Sequence, residues 1–248
     1  MKFAGKSDKG QSRSNNEDAY CIIDMSDSIG TVVLAVADGM GGHRAGNIAS
    51  KMAIDYIQNS LAEKEIDVAN FSVIKDWLKV MLKNTNATVL GKSLTDPKCY
   101  GMGTTLTIAV INEASAVLAH IGDSCAFHFR NSEMKKITTD HTYVEELVKL
   151  GSITREEALT HPQRNYITKA IGCFDEVNAD YYEKEFMLGD KILLCSDGLN
   201  KMLSDAEILN IVNNSDDPES ICAELINEAN HKGGLDNITA VVLINQGA

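Results

Sequence analysis

Residues 34–46, LAVADGMGGHRAG, run from an apolar segment into an aspartate and then into bare backbone, with three glycines among the four residues after Asp38. A simple corner needs one glycine. An acid at the mouth of a strand, followed by main chain without side chains, suits the close approach of something small and charged. Upstream, AYCIID (19–24) and TVVLAVAD (31–38) read as the first two strands, rich in β-branched residues and bounded by polar turns. From Arg44 the spacing becomes helical, with Ile48, Ala49, Met52, Tyr56, Ile57 and Leu61 on one face. A second helix is expected over about 71–91, burying Val73, Ile74, Trp77, Leu78 and Met81.

A block of strands follows: GTTLTIAVI (103–111), SAVLAHIG (115–122), CAFHFR (125–130) and MKKIT (134–138), separated by short polar gaps suited to hairpins. Residues 140–165 are polar and helical, with a Thr154–Glu157 capping box, and read as a mobile surface flap. Strands return at ADYYEKEFML (179–188) and KILLCSD (191–197). Two helices then open at the Ser204–Glu207 capping box and near Pro218, and NITAVVLIN (237–245) closes the chain. Strands in blocks with helices in pairs indicate an α+β layered domain rather than alternating βαβ units, and no linker divides residues 1–248. The expectation is one domain.

Composition limits the partners. With 35 acids against 23 bases the net charge is -12, which argues against general binding to nucleic acid or to an anionic membrane. No apolar run approaches membrane-spanning length. The six cysteines are scattered without a C-x-x-C pair and read as reduced residues of a cytoplasmic protein.

Acidic residues recur beside strand-like runs or glycines: Glu17 and Asp18 in NNEDAYC, Asp38, Asp123 in HIGDSCAF, Asp197 in LCSDGLN and Asp236 in GGLDNITAVV. A lone Asp-Gly is usually a turn. Several such carboxylates meeting at one sheet edge would repel one another unless a cation neutralised them, and magnesium or manganese suits all-oxygen ligation. No His or Cys cluster has zinc spacing, and no EF-hand loop is present.

In this order, GQSRSNNEDAY, VADGMGGHRAG, GMGTTLTIAV, HIGDS, TTDHTYVEELVKLGSIT, HPQRNYITKAIG, LLCSDGL and GGLDNITAVV resemble the metal-dependent protein phosphatases, the type 2C serine/threonine family, in its compact bacterial form. The resemblance spans essentially the whole chain. It implies a four-layer αββα sandwich of two antiparallel sheets flanked by helices, with two or three manganese or magnesium ions in a cleft at one edge. It further implies that Asp38 bridges two metals, that Gly39 lends its carbonyl, and that Asp197 and Asp236 complete one metal's shell. Asp18 and Glu17 match positions that ligate at the rim or hold metal-bound waters, and Asp123 with Asp197 matches a weaker third site. Arg13 matches the phosphate-binding arginine.

Two metals would lower the pKa of a bridging water for in-line attack on phosphorus. The leaving alkoxide must gain a proton from a water or a side chain, and His43 is the side-chain candidate. His120 and His128 read as hydrogen-bonded sheet residues. His141 and His161 bracket the flap, and His231 falls in a helix's last turn. One departure stands out: the family usually continues GDS with arginine, where this chain has Cys125. No C-x5-R loop surrounds that cysteine, so it is not a nucleophile.

The function expected is hydrolysis of phosphoserine and phosphothreonine in proteins by a monomer that opposes a Ser/Thr kinase. The alternatives are a catalytically silent sensor of metal or phosphoprotein, and a phosphatase dedicated to one regulatory partner.

Overall fold

The structure, a computed structural model, describes residues 1–25, 30–41, 45–62 and 70–247. Its strands are β1 (Lys2–Asp8), β2 (Asp18–Met25), β3 (Thr31–Met40), β4 (Gly103–Thr104), β5 (Leu106–Ile111), β6 (Ser115–Ile121), β7 (Cys125–Arg130), β8 (Glu133–Lys136), β9 (Asp180–Glu185), β10 (Lys191–Cys195) and β11 (Ile238–Ile244). The helices are α1 (Gly46–Ala62), α2 (Phe71–Thr95), α3 (Tyr143–Lys149), α4 (Arg155–Thr160), α5 (Asp197–Asn200), α6 (Asp205–Asn213) and α7 (Pro218–His231).

Two antiparallel sheets form the centre. One runs β1-β11-β10-β7-β8; the other runs β2-β3-β5-β6-β9, with β4 paired to β3. Alternation along the strands decides which face each residue serves. In β3, Val32, Leu34 and Val36 face the opposite sheet and meet Ile192, Leu194, Val241 and Leu243 in a dry seam. Val33, Ala35 and Ala37 face outward and pack under α1 and α2, through Ile54, Ile57, Leu78 and Leu82. On the other sheet, Leu193, Ala240 and Val242 lie beneath α6 and α7, through Ile208, Val212, Ile221 and Leu225. Three apolar layers between four structural layers make this the αββα sandwich.

The structure corrects several details. β1 was not anticipated: KFAGKSD is an edge strand whose residues are mostly half-buried, so its hydrophobic signal is weak. Val73 is exposed, one position off the buried line of Ile74, Leu78 and Met81, and α2 runs on to Thr95. The segment 103–111 is not one strand, because Thr105 turns aside to donate its N–H to the Asp38 carbonyl (2.9 Å). Asp197 does not end a strand; β10 stops at Cys195 and Asp197 opens the short helix α5. In the 140–165 segment, α3 buries Val144 and α4 buries nothing, and the Thr154–Glu157 capping box is present.

All six cysteines are free, and five of them are buried. Among the described residues no helix is long and apolar enough to cross a membrane.

Candidate metal centre

The acidic positions converge because the ends of both sheets meet at one edge. Asp18 at the start of β2 and Asp38 near the end of β3 are direct partners in the antiparallel register. From the facing sheet, Asp197 follows β10 and Asp236 precedes β11. Asp123 occupies the turn between β6 and β7.

Burial raises the Asp38 pKa well above its ordinary 3.8, and the charges of Asp18, Asp197, Asp123 and Asp236 add to the rise. Asp38 retains some solvent access as a residue, while its carboxyl is buried. Burial likewise pushes Asp123 to about 8, with Asp197 adding to the rise and Lys201 opposing it. Asp18 goes to about 7, again chiefly through burial.

The Asp18 carboxylate and the backbone that carries the other acids are held from behind. The Ser196 and Thr239 hydroxyls both donate to Asp18 Oδ2 (2.7 and 2.6 Å), which ties β2 to the opposite sheet. The Asp38 carbonyl accepts from the Thr105 N–H and the Thr104 hydroxyl (both 2.9 Å). Asn237 accepts from the Glu17 N–H (2.8 Å) and donates to the carbonyls of Lys9 and Asn15 (both 2.9 Å), which pins the loop that carries Arg13.

Bare backbone is required here by close packing. A Cβ on Gly39 would overlap the carbonyl oxygens of Gly46 and Glu17, and one on Gly198 would overlap that of Asn237. The Gly39 N–H donates to the Glu17 carbonyl (3.1 Å). Glu17 thus sits against the start of α1, and burial raises its pKa while Arg13 opposes the rise.

The fit to a hard cation rests on unused oxygens. Among the described residues, Asp18 Oδ1, Asp123 Oδ1 and Asp197 Oδ1 are buried without a hydrogen-bond partner. Buried carboxylate oxygens without donors are costly unless a cation takes them. An all-oxygen donor set suits magnesium or manganese. As they stand, no three or more His, Cys, Asp or Glu among the described residues are grouped so that they could hold a metal ion. Two of the carboxylates are instead engaged by side-chain cations: Lys201 pairs with Asp197, and Arg13 with Asp236 Oδ2 at 2.9 Å.

Arg13 is more than half exposed, so its guanidinium borders the cleft from the solvent side. His43 lies outside the described residues. Cys125 is fully buried, directly opposite Cys195 across β7 and β10. Its hydrogen bond with Cys195 and its burial hold the thiol far above 9, protonated and inert. Beside it, Lys136 pairs with both oxygens of Asp140 (2.8 and 2.9 Å), and the Asn200 amide reaches the sulfur (3.2 Å). A lysine from β8 therefore supplies the cation next to Cys125.

Three of the remaining histidines, His120, His128 and His141, are tied into the sheets by hydrogen bonds. His120 bonds to Thr107 (2.9 Å) and stacks on His141, which accepts from the Gly122 N–H (3.1 Å) and sits 3.3 Å from Asp180. His128 bonds to Asp190 (2.9 Å), and His231 ends α7.

Ser196, Thr239, Thr105, Asn237 and Lys201 escaped the sequence reading. The first four neighbour acids or glycines in the motifs, which was the available signal. Lys201 had none until α5 placed it one turn after Asp197.

A sequence profile described as protein phosphatase 2C matches residues 6–236. The chain is 42% identical to the protein phosphatase PhpP of Streptococcus pneumoniae over 250 residues, covering 99% of this chain and 98% of that one. It superposes on the solved serine/threonine phosphatase of S. agalactiae with a TM-score of 0.91 at 38% identity, covering 98% and 99% of the two chains. It is also similar to the solved catalytic domain of the phosphatase PstP in complex with 2 manganese ions, with a TM-score of 0.82 at 35% identity, covering 97% and 96%. With the acidic cleft at the meeting edge of two stacked sheets, these likenesses show that the chain belongs to the protein phosphatase 2C family.

Proposed function

We propose that Asp38, Asp197 and Asp236, with the Gly39 carbonyl, hold two manganese or magnesium ions, that Asp18 and Glu17 order the rim, and that Arg13 receives the phosphoryl group. The chain is a metal-dependent serine/threonine protein phosphatase. The observation that carries the site assignment is the meeting of the two sheets at these acids: Asp18, opposite Asp38 in the strand register, is bonded by Ser196 and Thr239 of the facing sheet, and its Oδ1 and that of Asp197 are buried without a donor. When bound there, the metals supply an activated water near neutral pH and offset phosphoryl charge.

The protein's own part is positioning. Asp18 is locked by two hydroxyls from the facing sheet, so its free oxygen points one way. The loop pinned by Asn237 presents Arg13, whose fork can keep one N–H on Asp236 while offering others to two phosphoryl oxygens.

The same reading takes residues 1–248 as one catalytic domain, acting as a cytoplasmic monomer on proteins phosphorylated by a Ser/Thr kinase. His43 is carried as the proton donor to the leaving alkoxide.

Phosphate release from a phosphothreonine peptide tests the assignment. Turnover is expected with manganese, and is expected to stop with chelator and in Asp38→Asn. Equal turnover in chelator, or in a folded Asp38→Asn protein, would refute it.

A further inference from the structure

Among the described residues of the cleft, the two-metal reading leaves Lys201 and Asp123 without a task. The Lys201 backbone N–H donates to the Asp197 carbonyl (2.9 Å) at the end of α5, so Lys201 lies one helical turn after Asp197. From there the side chain folds back, and its ammonium pairs with Asp197 Oδ2. The charges of Asp197, Asp123 and Asp236 all act on this ammonium, and Lys201 in turn is the cation that acts on Asp123. The lysine is 39% exposed, whereas the Asp197 side chain it meets is 12% exposed. It therefore reaches inward from the rim.

Asp123 and Asp197 each keep one buried oxygen without a donor. They are the two carboxylates that the resemblance to type 2C phosphatases gives to a third divalent ion. The Lys201 ammonium, paired with Asp197 and acting by its charge on Asp123, already supplies positive charge at that point, and a second cation there would be repelled at short range. A lysine on a flexible stem is a compact point charge that can occupy the place of a hydrated ion.

We propose that the Lys201 ammonium takes the place of a third divalent cation between Asp123 and Asp197, so that this chain holds two metals and excludes a third. The inference rests on the two-metal reading of the cleft. It makes Lys201 a determinant of metal stoichiometry rather than a catalytic residue. Entry of a third ion requires Lys201 to swing out to solvent, so manganese in excess does not readily fill the site.

Counting bound manganese tests this without reference to turnover. Free manganese is followed by its electron paramagnetic resonance signal during titration of wild type, Lys201→Met, Lys201→Arg and the double variant Lys201→Met/Asp123→Asn. Methionine keeps most of the stem and drops the charge, and the half-exposed position tolerates it. Wild type and Lys201→Arg are expected to bind two equivalents. Lys201→Met is expected to bind a third, about tenfold or more tighter than any third event in wild type, and the double variant to return to two. Two equivalents bound by both wild type and Lys201→Met, with equal affinities, would overturn this inference while leaving the two-metal reading standing. A third equivalent bound by wild type as tightly as by Lys201→Met would also overturn it. No manganese on any of the folded proteins would remove the two-metal reading itself and the inference with it.

Discussion

Asp123→Asn should make the metal-free protein more stable, although it removes a residue of the cleft. In the fold the Asp123 pKa stands at about 8 against an ordinary 3.8, because burial and the neighbouring Asp197 disfavour its charge. Below about pH 4 the carboxyl is protonated in folded and unfolded chains alike, so it contributes no penalty there. As the pH rises from about 4 to 8 the unfolded chain gives up this proton and the folded one keeps it. The fold thereby loses stability, and the loss levels off above about 8. A displacement of about 4 pH units at about 1.4 kcal/mol each bounds the cost at about 6 kcal/mol. Asp197 shares the repulsion and Lys201 offsets part of it, so we take about half, roughly 3 kcal/mol.

For a chain of this length that is about 6–12 °C in melting temperature. The assay is thermal unfolding in chelator at pH 4, 6 and 8. Asp123→Asn is expected to melt higher than wild type at pH 8, by less at pH 6, and equally at pH 4. A variant that melts lower than wild type at pH 8, or shows the same difference at every pH, would refute the claim that unneutralised carboxylates strain this cleft.

Gly39→Ala is expected to lower stability by about 2 kcal/mol or more, since its Cβ would overlap backbone oxygens of Gly46 and Glu17 that cannot shift without moving α1. Calorimetry together with manganese titration would check this, and both stability and metal affinity should fall. Arg13→Lys keeps the charge but loses the fork, so kcat/KM for a phosphopeptide is expected to fall about 10-fold or more with most of the loss in KM. A loss confined to kcat would place Arg13 elsewhere in the reaction.

Much of this centre was legible because its parts are local. Asp38 followed by Gly39 at the end of an apolar strand, and Asp236 before NITAVV, carry their signal within a few residues. What was hidden depends on partners far along the chain. β1 reads as a polar segment until β11, more than two hundred residues away, pairs with it along its whole length from Lys2 opposite Ile244 to Asp8 opposite Ile238. The support of Asp18 by Ser196 and Thr239 needs both sheets stacked before it exists.

Asp197 was found but placed on the wrong element, because LLCSDGLN is apolar enough to continue as strand. In the fold the chain turns there into α5, with Gly198 packed closely against the Asn237 carbonyl. That turn is also what brings Lys201 into the cleft. The significance of Cys125 was half legible: the missing arginine was visible, but the Lys136–Asp140 pair beside it required the β7–β8 hairpin.

Anomalous diffraction from crystals soaked in manganese would locate the ions. Two strong peaks are expected in the cleft, both touching the Asp38 carboxylate, with one shared by Asp197 and Asp236 and the other against the Gly39 carbonyl. Strong peaks away from Asp38, or none in the cleft at saturating manganese, would contradict the two-metal reading.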